Sequence, residues 1–119
     1  MTQEGVVDAS EYALQALRAG RLRLFHVVGQ SMRPTLEPDD LVLVDPAVTT
    51  PRVGAVVALA SSTNGVLIKR VASATRTTFS VSSDNPLEGT DSRSLGSFPH
   101  RALIGIAVWR VTASSIIPL

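Results

Sequence analysis

The apolar positions of this 119-residue chain fall in short runs parted by turn residues, and only one stretch repeats at helical spacing. Ala13, Leu14, Ala16 and Leu17 give residues 8–19 an apolar stripe at steps of three and four, which predicts a helix. Asp8 can cap it, Glu11 stands three residues later, and Gly20 follows as a stop. Beyond it the pattern is that of strands. Residues 22–28 and 41–44 are strand candidates, the second entered through Glu37-Pro38-Asp39-Asp40 and left through Asp45-Pro46. Residues 55–60 and 66–72 are joined by a loop holding Asn64-Gly65, a hairpin signal. Residues 77–82 form a fifth strand and 103–111 a last one. Residues 83–99, rich in Ser, Gly, Asp and Pro, read as a long irregular loop, uncommon in so small a domain. Within it, Asp84, Asp91 and Arg93 can pair or bond backbone amides and so pin the loop down. The expected fold class is mainly β, mostly antiparallel, with a helical N-terminal segment (1–21) before a β-domain (22–119).

Composition narrows the function. Apolar residues make up 45% of the chain, enough for one domain with a buried core. A net charge of +1 gives no electrostatic reason to expect a nucleic-acid partner. Arg18, Arg21 and Arg23 cluster around a turn and read as solvated surface. With no cysteine, disulfides, thiolate catalysis and cysteine-ligated metals are excluded, which suits a reducing cytoplasm. His26 and His100 stand far apart and no carboxylate–histidine cluster has metal-ligand spacing, so no metal or cofactor is expected. No window reaches the roughly 18 apolar residues that span a bilayer. The N-terminus, with Glu4 and Asp8, is not built like a signal peptide. The expectation is a soluble, cytoplasmic chain without a membrane span.

The chemistry centres on "VGQSMRPTL", residues 28–36. A serine hydroxyl such as Ser31 needs a positioned base to act as a nucleophile. Alternation along residues 22–28 places His26 with Leu22, Leu24 and Val28, the setting of a histidine packed on a sheet face. Lysine is the other candidate. The chain has one lysine against ten arginines, and it lies inside "VLIKRV". Period-two alternation puts Lys69 on the face of Leu67 and Val71. A free lysine titrates near about 10.4 and is no base at neutral pH, but desolvation lowers that value. Such a lysine either snorkels at a sheet edge or is desolvated for a purpose. Around the serine, Gly29 allows close backbone approach, and Pro34 fixes the chain while biasing Arg33 to extended geometry. A strand ending in such a turn can expose Ser31 Oγ and aim its N–H at a developing oxyanion.

"GQSMRPTLEPDDLVLVD" resembles the nucleophile motif of the Ser/Lys-dyad peptidases, the superfamily joining signal peptidase I to the self-cleaving repressors of the LexA type. "VLIKRV" is similar to the segment that carries their general-base lysine, here 38 residues after the serine. "SDNPLEGTDSRSLG" resembles the motif that follows in signal peptidases. The resemblance runs from about His26 to Val111 and implies the small, coiled, mostly antiparallel β-domain of these proteins. It implies that Ser31 is the nucleophile and Lys69 the general base. Asp91 and Arg93 would be the ion pair ordering the loop near the dyad, with Asp84 in the same supporting segment, and Met32 would line the substrate groove. Gly29 falls where some signal peptidases keep a serine hydroxyl as a second oxyanion donor. Gly89 falls where many have a serine that orients the lysine. Ala55 stands where Gly-Asp is common, and the Gly-Asp segment expected after the lysine is absent. The family's membrane anchor before the serine is missing as well. A short chain of this kind is similar to the nickel-type superoxide dismutase maturation proteases, which implies a protein partner with a cleavable N-terminal leader. The rivals are a self-cleaving switch of the LexA kind and a degenerate β-domain that binds peptides without cutting. For self-cleavage the chain offers Ala19-Gly20, 11 residues before Ser31. No helix-turn-helix segment precedes the serine, so a DNA-binding repressor is not expected.

Overall fold

The computed structural model describes residues 9–87 and 95–119, the side chains of 9 and 10 excepted. The helix α1 spans Ala9–Arg18, and Asp8, its expected cap, lies outside the described residues. Its end is as the sequence predicts. Gly20 takes φ 74°, the Arg21 N–H bonds to the Ala16 carbonyl and the Gly20 N–H to that of Leu17, each at 3.0 Å. That is the Schellman closure, which needs a left-handed residue and so favours glycine. The buried stripe is narrower than expected. Ala13 and Ala16 are buried, but Leu14 is exposed. Ala13 and Ala16 lie three apart on one face, and their small side chains let the helix approach the β-domain closely.

The strands among the described residues are β1 (Arg23–His26), β2 (Leu41–Asp45), β3 (Val56–Ser61), β4 (Gly65–Ala74), β5 (Thr78–Ser82), β6 (Phe98–Pro99), β7 (Leu103–Val111) and β8 (Ile116–Pro118). They form one antiparallel sheet in the order β1-β2-β7-β3-β4-β5-β6, with β8 on β7. This bears out the mainly β, antiparallel fold class. Two strands were not expected. β6 is two residues long and ends in Pro99 on an edge, where a missing N–H is tolerated. β8 follows the turn 112–115, so β7 is not the last strand.

The sheet coils enough to bury both faces of β3. Val56 and Ala58 join Val27, Met32, Leu36, Val42, Val44 and Ala107 in one core cluster. Val57 and Leu59 join Val71, Phe79, Val81 and Phe98 in another. Three irregularities shape the sheet. β2 and β7 slip register between Leu43 and Val44, β3 and β7 between Ala58 and Leu59, and β4 and β5 between Val71 and Ser73. Such bulges add one unpaired residue and re-aim the side chains beyond it.

Candidate active site

Residues 27–40 leave the β1–β2 hairpin as a loop and return to it. The Val27 N–H bonds to the Asp40 carbonyl at 2.8 Å, and the Asp39 N–H to that of Val27 at 3.0 Å. Inside the loop Met32 and Leu36 point down into the core, and the Leu36 N–H closes a turn on the Met32 carbonyl at 2.9 Å. Ser31 precedes this plug and is half-buried. The turn is also tied sideways. Asp40 accepts from the Glu37 N–H at 2.8 Å and from Arg110 Nε of β7 at 2.7 Å.

Lys69 lies on β4, only 3% exposed. Its face carries Val71, and the cluster beneath includes Leu67 as a partly buried neighbour, so the period-two placement holds. Taking an ammonium out of water costs free energy unless partners replace the water. Lys69 Nζ donates to Ser83 Oγ at 2.8 Å. Ser31 and Lys69 line one small cavity of about 130 Å³, together with His26, Val27, Val28, Met32 and residues 66–68. Larger cavities lie elsewhere, between α1 and β7 and at the β3–β4 hairpin.

The other candidates sort clearly. Met32 lines the cavity but is 2% exposed, so it contributes from the core below. His26 is not packed on a sheet face. It is exposed and its Nε2 stands 3.1 Å from Asp39 Oδ1, because the face of β1 carrying Leu24 and His26 is turned to solvent. His100 is remote from Ser31, with Nε2 2.9 Å from the Thr75 carbonyl oxygen. Gly29 has a different reason from the expected one. Nothing lies within 4 Å of where its Cβ would stand, so no close approach requires glycine; its φ of 78° does. Asp91, Arg93 and Gly89 lie outside the described residues.

Asp84 is fixed by partners the sequence did not reveal. Arg70, next to Lys69 on β4, forks onto it, Nε to Oδ1 at 2.8 Å and Nη2 to Oδ2 at 2.7 Å. Thr35 Oγ1, from the serine loop, donates to Oδ2. The Arg70 hydrogen bonds hold the Asp84 carboxyl below the usual carboxylate range, helped by Thr35 and by the guanidinium charge; burial works the other way. The same hydrogen bonds push Arg70 up. Asn85 completes the strap. Its N–H donates to the Ser31 carbonyl at 2.9 Å and its Nδ2 to the Gln30 carbonyl at 3.1 Å. Ser83, Arg70 and Asn85 are the residues that sequence reasoning missed.

Among the described residues no three His, Asp or Glu side chains gather as metal ligands. No described helix is long and apolar enough to cross a membrane. The arrangement is a hydroxyl and a buried amine lining one small cavity. No curated protein matches the chain. The family model for Peptidase S24-like proteins matches residues 2–96, a span that takes in the serine loop, the Lys69 strand and the Ser83–Asn85 strap. By that match over most of its length, the chain belongs to the Peptidase S24-like family.

Proposed function

We propose that this chain is a serine endopeptidase in which Ser31 attacks and Lys69 is the general base, and that it removes an N-terminal leader from a protein substrate. The observation that carries the reading is the sharing of one small cavity by Ser31 and the chain's single, buried lysine. A buried amine gives up its proton more readily than a solvated one. Neutral Lys69 takes the Ser31 proton as Oγ bonds to the scissile carbonyl carbon. The tetrahedral intermediate collapses to an acyl-enzyme and releases the amine, which takes up the proton. Lys69 then activates water to free the acid and regenerate Ser31.

Cleavage in trans is favoured over self-cleavage at Ala19-Gly20. That bond is locked in the helix closure, and Gly20 lines the cavity of Tyr12 and Trp109, which shares no residue with the Ser31 cavity. The test is digestion of a peptide library with small residues before the cut, read by mass spectrometry. Ser31→Ala and Lys69→Met should each lose at least about a thousandfold in rate. Methionine fills the apolar channel of the lysine stem, so Lys69→Met should stay folded. Cleavage retained by Lys69→Met rules out the dyad.

A further inference from the structure

Three consecutive residues each hold a different part of the candidate site. Ser83 meets Lys69, Asp84 meets Arg70 and Thr35, and Asn85 meets Gln30 and Ser31. The last of these bears on a group that is not a side chain. The Gln30 carbonyl and the Ser31 N–H belong to one peptide unit. In a planar trans unit the two point in opposite directions, and this unit is trans. Whatever fixes the carbonyl therefore fixes the N–H.

The Gln30 carbonyl is fixed twice, by Arg33 N–H at 3.2 Å within the turn and by Asn85 Nδ2 at 3.1 Å from outside it. The next carbonyl, that of Ser31, is held by the Asn85 N–H at 2.9 Å. Asn85 is not part of the cavity wall that Ser31 and Lys69 share. Both carbonyls are thus drawn away to Asn85, which turns the Ser31 N–H the opposite way. Among the described residues no acceptor takes that N–H.

We propose that Asn85 is a positioning residue: by holding the Gln30 carbonyl it aims the Ser31 N–H at the oxygen of the carbonyl that Ser31 attacks. The inference rests on Ser31 being the nucleophile. In the step concerned, Ser31 Oγ bonds to the carbonyl carbon, its proton passes to Lys69 Nζ, and the C=O π pair moves onto the oxygen. The Ser31 N–H donates to that oxyanion, and collapse expels the leaving group. Asn85 touches none of the reacting atoms.

The experiment uses the full chain and 4-nitrophenyl acetate, following nitrophenolate release and the mass of the acetylated Ser31 peptide. Asn85→Asp is the sharp variant. It keeps the Asn85 N–H and the Oδ1 that accepts from the Leu87 N–H at 3.2 Å, and replaces the Nδ2 donor with a charged acceptor that repels the Gln30 carbonyl. Asn85→Ala removes the donor without adding charge. Both should lower the limiting acylation rate by about tenfold or more, since a lost oxyanion donor costs roughly a hundredfold. The half-saturating ester concentration and the thermal midpoint should hardly move. Ser31→Ala separates the two readings. If wild type acylates, Ser31→Ala does not, and both Asn85 variants match wild type, the Asn85 proposal falls while the peptidase reading stands. If wild type releases no more nitrophenolate than Ser31→Ala, both fall. A second measurement needs no variant: methylboronic acid on Ser31 of the wild-type chain should move the Ser31 amide proton downfield by NMR. An adduct that leaves this proton unmoved overturns the proposal.

Discussion

The backbone at Gly29 sits at φ 78° with open space around the missing Cβ. A serine there, as in some proteins the motif resembles, would meet no steric clash yet would hold an L-residue in the left-handed region, at a cost of roughly 1–2 kcal/mol. Gly29→Ser should therefore lower stability by about 1 kcal/mol, read as a shifted urea midpoint at unchanged slope. The result bears on the conformation of the loop, because any side chain at this position conflicts with the left-handed turn before Ser31. At this scale the sequence was informative where identity and burial coincide. Lys69 stood out as the lone lysine among aliphatics and is buried. His26 was misread because alternation tells which residues share a face, not which face meets water. Asn85 was invisible because its bonds go to carbonyls, which every residue has.

Strands were legible wherever apolar runs were bounded by turn residues. The predicted 103–111 matches β7, and the 55–60 and 66–72 pair matches β3 and β4 within a few residues. What could not be read was register. Counted back from the β4–β5 turn, where Ser73 faces Ser80 and Ala74 faces Phe79, Lys69 would come opposite Asp84 and Arg70 opposite Ser83. The bulge at Ala72 shifts the pairing by one, so Arg70 faces Ser82 and Lys69 comes to Ser83 instead. The extra residue thus gives the lysine a hydroxyl partner and leaves the carboxylate to the arginine. A second tight point lies on β7 at its register slip with β3, where Gly105 pairs with Ala58. A Cβ on Gly105 of β7 would run into the Asp45 carbonyl oxygen and come within 2.8 Å of Val44 Cγ1. Backbone cannot yield as a side-chain tip does, so Gly105→Ala should destabilise by about 2–3 kcal/mol in denaturant unfolding.

Across the whole molecule, the Asp84 node joins the serine loop, β4 and the segment after β5. Its folded carboxyl titrates below the unfolded value. Such a group contributes stability that is fully present above the unfolded pKa, near about 4, and is lost as pH falls through the lower folded value. At pH 7 Asp84→Asn should be less stable than wild type by on the order of 1–2 kcal/mol, a range kept low because Arg70 retains a third of its surface in water. The gap should narrow as pH falls below about 4 and the wild type loses the ion pair, and urea midpoints for both proteins across the acid range are the check. A gap that is constant with pH removes Asp84 as the acid-sensitive node. The burial of Lys69 has a consequence for its chemical labelling as well. Because this is the chain's one lysine, the folded molecule offers solvent no side-chain amine. An amine-directed reagent too bulky for the cavity of about 130 Å³ that Lys69 shares with Ser31 can acylate it only when the sheet opens, which makes such a label a clock for how often the β4 region unzips.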